Sequence, residues 1–247
     1  MGNGDGKFQP LVNIRDGFGN TLATADFNGD GKLDLVVGYT QSRSLDLLLG
    51  NGDGTFQPIV RMQAEANAVF LAAADLNGDG KPGILEATGA DGELVTLLNT
   101  GKGTFGNPGL TPVAGVITLV TGDFNGDGKL DVVCGTSVSS NSEVVLLPGN
   151  GDGTFGIAAT IVKEGSSVLA LVTAADFNGD GKLDLAAASF SLNVNNTLVL
   201  PGNGDGTFQK PVGYSMSGPM VLGAADFNGD GKVDIITGNA FVNVALI

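Results

Sequence analysis

Residues 26–34 read DFNGDGKLD, and the pattern returns four times along the chain. It recurs as DLNGDGKPG at 75–83, as DFNGDGKLD at 123–131 and 176–184, and as DFNGDGKVD at 226–234. The intervals are 49, 48, 53 and 50 residues. A second element, GNGDGKF at 2–8, recurs as GNGDGTF at 50–56, 149–155 and 202–208, and in eroded form as NTGKGTF at 99–105. Self-similarity at a fixed period of this size signals a repeat architecture.

Each period divides into four short strands. In the first, 21–27 and 33–39 flank the Asp-rich loop, 44–49 is a further apolar run, and 55–62 is the fourth. Between the last two, 50–54 carries the Asn-Gly and Asp-Gly pairs that supply the positive φ of a hairpin turn. Pro58 suits a sheet edge, where no ladder donor is missed. Glycine is 41 of 247 residues, and no segment carries a long helical pattern, so a helical bundle is excluded. Four strands per period, repeated radially, predict an all-β fold, a β-propeller of five four-stranded blades. The whole of 1–247 reads as one domain. The chain stops at 243–247 on a third strand and starts at 2–14 with a turn and a fourth strand. The N-terminal strand is therefore expected to complete the last blade and close the ring, leaving no open edge.

Composition removes several function classes. There is no His and no Trp, so His-based acid–base catalysis and His-ligated zinc are excluded. The one cysteine, Cys134, follows two valines and reads as core. No apolar run is long enough to predict a transmembrane helix, so no membrane insertion is expected. The first residues lack the basic and apolar regions of a signal peptide. The net charge of −14 argues against nucleic acid as a partner. The 26 acidic residues include only five Glu, and this Asp bias beside so much Gly points to turns and hard-cation ligands.

The loop pattern D-x-N-x-D-G-x-x-D explains the bias. Side-chain oxygens at positions 1, 3, 5 and 9 and the backbone carbonyl at position 7 can converge on one ion, and glycine at position 6 permits the sharp turn. An all-oxygen shell of this kind selects calcium. The expected ligands are Asp26, Asn28, Asp30, Lys32 and Asp34 in the first loop, with each lysine acting through its carbonyl. In the third loop they are Asp123, Asn125, Asp127, Lys129 and Asp131. The fourth offers Asp176, Asn178, Asp180, Lys182 and Asp184, and the fifth Asp226, Asn228, Asp230, Lys232 and Asp234. The second keeps Asp75, Asn77, Asp79 and Lys81 but has Gly83 at position 9. Four to five bound Ca2+ ions are expected, the second site being the weakest. Glu86, at position 12 of that loop, should face away from it, because positions 9 and 12 of a strand lie on opposite faces. The competing reading is a set of Asx turns satisfied by their own backbone. Three carboxylates in nine residues repel one another without a counter-ion, which favours calcium. The aspartates of the GNGDG turns, Asp5, Asp53, Asp152 and Asp205, read as turn formers.

The run GFGNTLATADFNGDGKLDLVVG at 17–38 resembles the FG-GAP repeat of integrin α-subunit propellers and the related bacterial VCBS-type repeats. The likeness covers essentially the whole chain in five copies. It implies a propeller blade with calcium in the loop between its first and second strands, and the ligand pattern maps onto the loops above except at Gly83. Propellers of that family usually have seven or eight blades, so five repeats are a departure.

The function expected is a calcium-stabilised propeller serving as a binding or adhesion module, with calcium mainly structural. The alternatives are a structural or engineered scaffold with no ligand beyond calcium, and a weak multivalent lectin. An enzyme is not expected, because the acidic clusters are used by the loops and no other carboxylate pair stands out. The regular phenylalanines Phe27, Phe56, Phe105, Phe124, Phe155, Phe177, Phe208 and Phe227 read as core. A protein or glycan partner is expected, with a monomer favoured over self-association. Weak calcium sites fill only outside the cytosol, so an extracellular or cell-surface setting is expected.

Overall fold

The computed structural model describes residues 19–138, 141–165, 168–190, 196–215, 219–239 and 244–246. Among these residues there is no helix. The first sheet holds β1 (Thr21–Ala25), β2 (Asp34–Gly38), β3 (Ser44–Leu48) and β4 (Val60–Gln63), in that spatial order. The second runs β5 (Phe70–Ala74), β6 (Gly83–Ala87) and β7 (Glu93–Leu97). A small hairpin follows, β8 (Asn99–Gly101) with β9 (Thr104–Phe105), before β10 (Gly109–Pro112) returns as the outer strand of that sheet. The third sheet is β11 (Val116–Gly122), β12 (Asp131–Val138), β13 (Asn141–Leu147) and β14 (Ala159–Gly165). The fourth is β15 (Val168–Ala175), β16 (Asp184–Phe190), β17 (Asn196–Leu200) and β18 (Val212–Ser215). The fifth is β19 (Pro219–Ala225), β20 (Asp234–Asn239) and β21 (Val244–Leu246).

Every pairing within these sheets is antiparallel between neighbours, so each sheet is a simple meander. The register is fixed at the Asp loop, where Ala25 pairs with Asp34, Ala74 with Gly83, Gly122 with Asp131, Ala175 with Asp184 and Ala225 with Asp234. Position 9 of each loop is therefore the first residue of the second strand.

The sheets stack as the blades of a propeller do. The first strand of each packs on the first strand of the next, β1 on β5, β5 on β11, β11 on β15 and β15 on β19. Their facing sides interdigitate. Phe27, Val36, Leu45 and Leu47 of the first repeat pack with Leu71, Ile84 and Leu97 of the second. Leu85, Ala87 and Leu94 then pack with Leu119, Val132 and Cys134 of the third. Phe124, Val133 and Leu146 continue onto Leu185, Ala187 and Leu200 of the fourth. Inner strands are thus covered on both faces, which is why β2, β6 and β12 read as nearly unbroken apolar runs. Cys134 is fully buried, and burial pushes its thiol up to about 12, as fits an inert core residue.

Five four-stranded blades were expected, and the described residues give four four-stranded sheets and one of three strands. The predicted third strand at the C-terminus is present as β21 beside β20. The N-terminal strand expected to complete this sheet lies outside the described residues. Among those residues no packing comparable to the other four junctions joins β19 to β1, so the ring is not closed by them.

Candidate functional site

Four of the Asp loops share one local structure, and the second keeps the bonds of Asp79, Gly80 and Lys81 N–H to its side chains. In the first, Asp26 Oδ1 accepts from the N–H groups of Gly29 (2.7 Å) and Asp30 (3.1 Å), and Oδ2 from Gly31 (2.7 Å). Asn28 Oδ1 accepts from Asp30 N–H at 2.8 Å, and Asp30 Oδ1 from Lys32 N–H at 3.0 Å. The same bonds recur around Asp123, Asp176 and Asp226. Gly31 makes the turn possible, with φ at +81°. Backbone donation holds the Asp26 carboxyl below its ordinary range, the Gly31 N–H first among the causes; burial opposes it next, and the N–H groups of Gly29 and Asp30 lower it further.

Position 9 is placed differently from positions 1, 3 and 5. Asp34 is buried, and both its oxygens are hydrogen-bonded. Oδ2 accepts from Phe27 N–H (2.9 Å) and Asn28 N–H (3.3 Å), and Oδ1 from Gly50 N–H at 2.8 Å. Asp131 and Asp184 repeat this with Phe124 and Gly149, and with Phe177 and Gly202. Asp234 accepts from Phe227 N–H at 3.0 Å. Spacing predicts these carboxylates as ligands, and the structure gives them a further task. They clamp the loop to the neighbouring GNGDG turn. The turn must come very close, since a Cβ on Gly50 would lie 2.1 Å from the Leu33 carbonyl oxygen. The turn aspartates are used within their own turns, as expected. Asp53 Oδ1 accepts from Thr55 N–H and Oγ1, and Asp152 and Asp205 do the same with Thr154 and Thr207.

Fit to a hard cation can be tested on the donor set. In the second loop the amide atom of Asn77 that faces the loop lies 3.1 Å from Asp75 Oδ1 and 3.2 Å from Asp79 Oδ1. With the amide nitrogen there, Asn77 donates to both carboxylates and the turn satisfies itself, and a cation would take the place of that nitrogen only if the amide turned its oxygen inward. In the first loop Asn28 Nδ2 stands 3.2 Å from Asp30 Oδ2. In the third, Asn125 Nδ2 is 3.4 Å from Asp131 Oδ1. In these loops the position 3 amide nitrogen donates to a neighbouring carboxylate while its oxygen accepts from the position 5 N–H, so the positions 1, 3 and 5 side chains are gathered in one turn. Burial raises the Asp131 pKa, the N–H groups of Gly149 and Phe124 oppose this, and the negative charges of Asp127 and Asp123 raise it further. That repulsion is what a bound cation relieves. Among the described residues no three acidic side chains gather as a group, because the third oxygen donor at each loop centre is an amide and position 9 is turned inward. The position 7 lysines lie along the rim, with Lys81 Nζ 3.2 Å from Asp79 Oδ2 and Lys32 Nζ 3.6 Å from Asp30 Oδ2. Such exposed pairs contribute little.

The loops also join one sheet to the next. The carbonyl at position 2 accepts a hydrogen bond from the last glycine of the following repeat's turn, Phe27 from Gly103 (2.9 Å), Leu76 from Gly153 (3.1 Å) and Phe124 from Gly206 (2.9 Å). Two of these contacts carry edge-on or tilted ring pairs, Phe27 with Phe105 at 5.8 Å and Phe124 with Phe208 at 6.2 Å. The first peptide of the loop is therefore held from both sides, its N–H by Asp34 and its C=O by the next sheet.

One residue escaped the sequence reading, and a second was read only for the direction it faces. Asn99 stands where the other repeats have the close-approach glycine. Its Nδ2 donates to Phe27 O at 2.8 Å and to Pro82 O at 3.0 Å, and its Oδ1 accepts from Gly101 N–H. The pairing of Gly83 with Asn99, the reverse of Asp34 with Gly50, was the available signal. Glu86 faces away from its loop, on the side of β6 that carries Ile84 toward the first sheet. It is fully buried, and among the described residues neither carboxylate oxygen has a hydrogen-bond partner. Burial first, then the negative charges of Glu65 and Asp91, push its pKa up to about 7.

No curated protein matches the chain. Among solved structures, the Photorhabdus luminescens Tc holotoxin pore is similar over 97% of this chain and 12% of that chain, at 22% identity and a TM-score of 0.56. The chain therefore spans only a small part of that toxin. BBS1N, solved in complex with ARL6DN, is similar over 96% of this chain and 81% of that one, at 12% identity and a TM-score of 0.54. These likenesses concern the fold. The FG-GAP-like repeat model matches residues 26–86, 84–134, 123–187 and 176–237, and the chain belongs to that family of repeat β-propellers.

Proposed function

We propose that the protein is a single calcium-stabilised propeller domain acting as a binding or adhesion module in an extracellular or cell-surface setting, without catalytic activity. The observation that carries this is the repetition of one turn in which the oxygens at positions 1 and 3 lie together, Asp26 Oδ1 and Asn28 Oδ1 both accepting from Asp30 N–H, as do their counterparts from the N–H groups of Asp127, Asp180 and Asp230. Asp26, Asn28, Asp30 and the Lys32 carbonyl would hold the ion in the first loop, with Asp34 beside them, and their counterparts would do so in the others. When bound, calcium supplies charge neutralisation and stiffness. The residues around it do the rest. Asp34 fixes the start of the loop, and the loop carbonyl at Phe27 fixes the next sheet. Loop order is thereby coupled to the alignment of successive sheets. A protein or glycan would then be bound by the connections these sheets present.

Native mass spectrometry at millimolar calcium, repeated after chelation, tests the reading. Four or five ions per chain, lost on chelation, are expected. Retention of no calcium would return the loops to self-satisfied Asx turns and remove the proposal.

A further inference from the structure

Three junctions between successive sheets are closed by one set of contacts. The position 2 side chain and carbonyl of an Asp loop meet the last glycine and the phenylalanine of the next repeat's turn. Phe27 meets Gly103 and Phe105, Leu76 meets Gly153 and Phe155, and Phe124 meets Gly206 and Phe208. In each case the loop residue is buried. Phe27 is 1%, Leu76 4% and Phe124 2% exposed.

The turn that would follow Phe177 in this order, 2–8, lies outside the described residues; apart from Phe177, those residues carry one more half of each kind, unmated among them. On the fifth sheet Phe227 is 49% exposed. By its place in the repeat it is expected in the core, and the structure corrects that, because no turn among the described residues covers it. Its carbonyl has no hydrogen-bond partner among the described residues. On the first sheet the turn at 50–56 has the conformation of its counterparts, with Gly52 and Gly54 at positive φ and Gly50 bridged to Phe56. Gly54 is exposed, and its N–H has no partner among the described residues. Beside it lies an open groove of about 550 Å3 lined by Leu48, Phe56, Pro58 and Ile59. Among the described residues the two halves do not meet, since β19 and β1 lack the packing seen at the other four junctions.

We propose that these halves mate between copies of the chain, the Phe227 loop of one copy seating on the 54–59 turn of a second. The occupant is a second copy because the surface it must present is already built on this chain, and the geometry required of it is observed three times inside the fold. Such an interface is heterologous, so each copy keeps one free half after pairing, and assembly continues head to tail until it closes. Calcium occupancy is a separate matter. The junction is made of apolar side chains and a backbone hydrogen bond, none of which is an expected ligand side chain.

Sedimentation velocity over a wide range of protein concentration tests this. For the unaltered chain the weight-average mass should at least double across the range. Phe227→Asp and Ile59→Asp each alter one half at an exposed position, and each variant alone should sediment as a single chain. Mixed together, the two variants retain one intact half apiece and should form a pair and nothing larger. Circular dichroism and melting of the variants should match the unaltered chain. If one variant fails to fold, the other still reports on the same junction. An unaltered chain that stays a single chain at every concentration would overturn the proposal, and so would association that survives either substitution. Neither result bears on calcium counts, so this inference and the calcium reading fail separately.

Discussion

The first and second Asp loops solve one packing problem in opposite ways. In the first, the carboxylate of Asp34 reaches from the strand to the turn and gathers three backbone N–H groups, and the turn answers with a glycine at position 50. In the second, the strand has Gly83 and the turn has Asn99, whose amide reaches back to Pro82 O and on to Phe27 O of the preceding repeat. Space decides that only one side can carry the reaching group. A Cβ at Gly50 would strike the Leu33 carbonyl, and one at Gly83 would lie 2.8 Å from the Leu97 carbonyl. The loss of an aspartate at position 9 is therefore a compensated exchange, and the second junction stays latched by Gly153 on Leu76.

The contrast can be broken most severely at Asp34. Asp34→Ala strands the N–H groups of Phe27, Asn28 and Gly50 in a buried place, at roughly 1–3 kcal/mol for each unmet donor. We expect a loss of about 4 kcal/mol by urea denaturation, with or without calcium. A loss confined to calcium-containing buffer would mean that Asp34 acts only as a ligand.

The next effect belongs to the second repeat alone. The folded pKa of Glu86, about 7, lies above its ordinary 4.5. The stability associated with the protonated acid is complete below the unfolded value and declines as pH rises between the two. It is gone above about 7, a change of about 3 kcal/mol in all. Melting temperature should fall over this interval, and Glu86→Gln should flatten that fall. Glu65 and Asp91, the charged groups acting on Glu86, are both negative and so oppose its ionisation. An unchanged profile in the glutamine variant would show that the pH dependence arises elsewhere.

The smallest effect sharpens the comparison directly. Gly83→Asp and Asn99→Gly should each destabilise alone, while the double variant rebuilds the arrangement of the first loop. A double-mutant cycle should give a favourable coupling of about 2 kcal/mol. Additive losses would mean that the two positions do not exchange roles.

Much was legible in the residues because it is local. The spacing of DFNGDGKLD marks each turn between first and second strands, and alternation with the GNGDG elements marks the rest of each sheet. The Asp, Asn and Gly pattern fixes its own loop, since among the described residues the bonds of Asp26 go to N–H groups within five residues of itself. The all-β class, the C-terminal third strand and the buried state of Cys134 followed from the same short-range signals. The assignment of position 9 was only half legible, because Asp34 Oδ1 spends itself on Gly50, 16 residues away.

What the sequence determined by itself is the repeat, its strands and the loops that could hold an ion. The tertiary structure alone decided which copies of identical motifs are equivalent in the molecule. Phe124 and Phe227 sit in nearly the same nine residues, yet one is 2% exposed and the other 49%. Glu86 occupies the place of Val37 and Cys134, yet it is buried without a hydrogen-bond partner among the described residues. The reason is that each sheet is sealed by its neighbour and not by itself, so the fate of a repeat's face depends on what the next repeat brings against it.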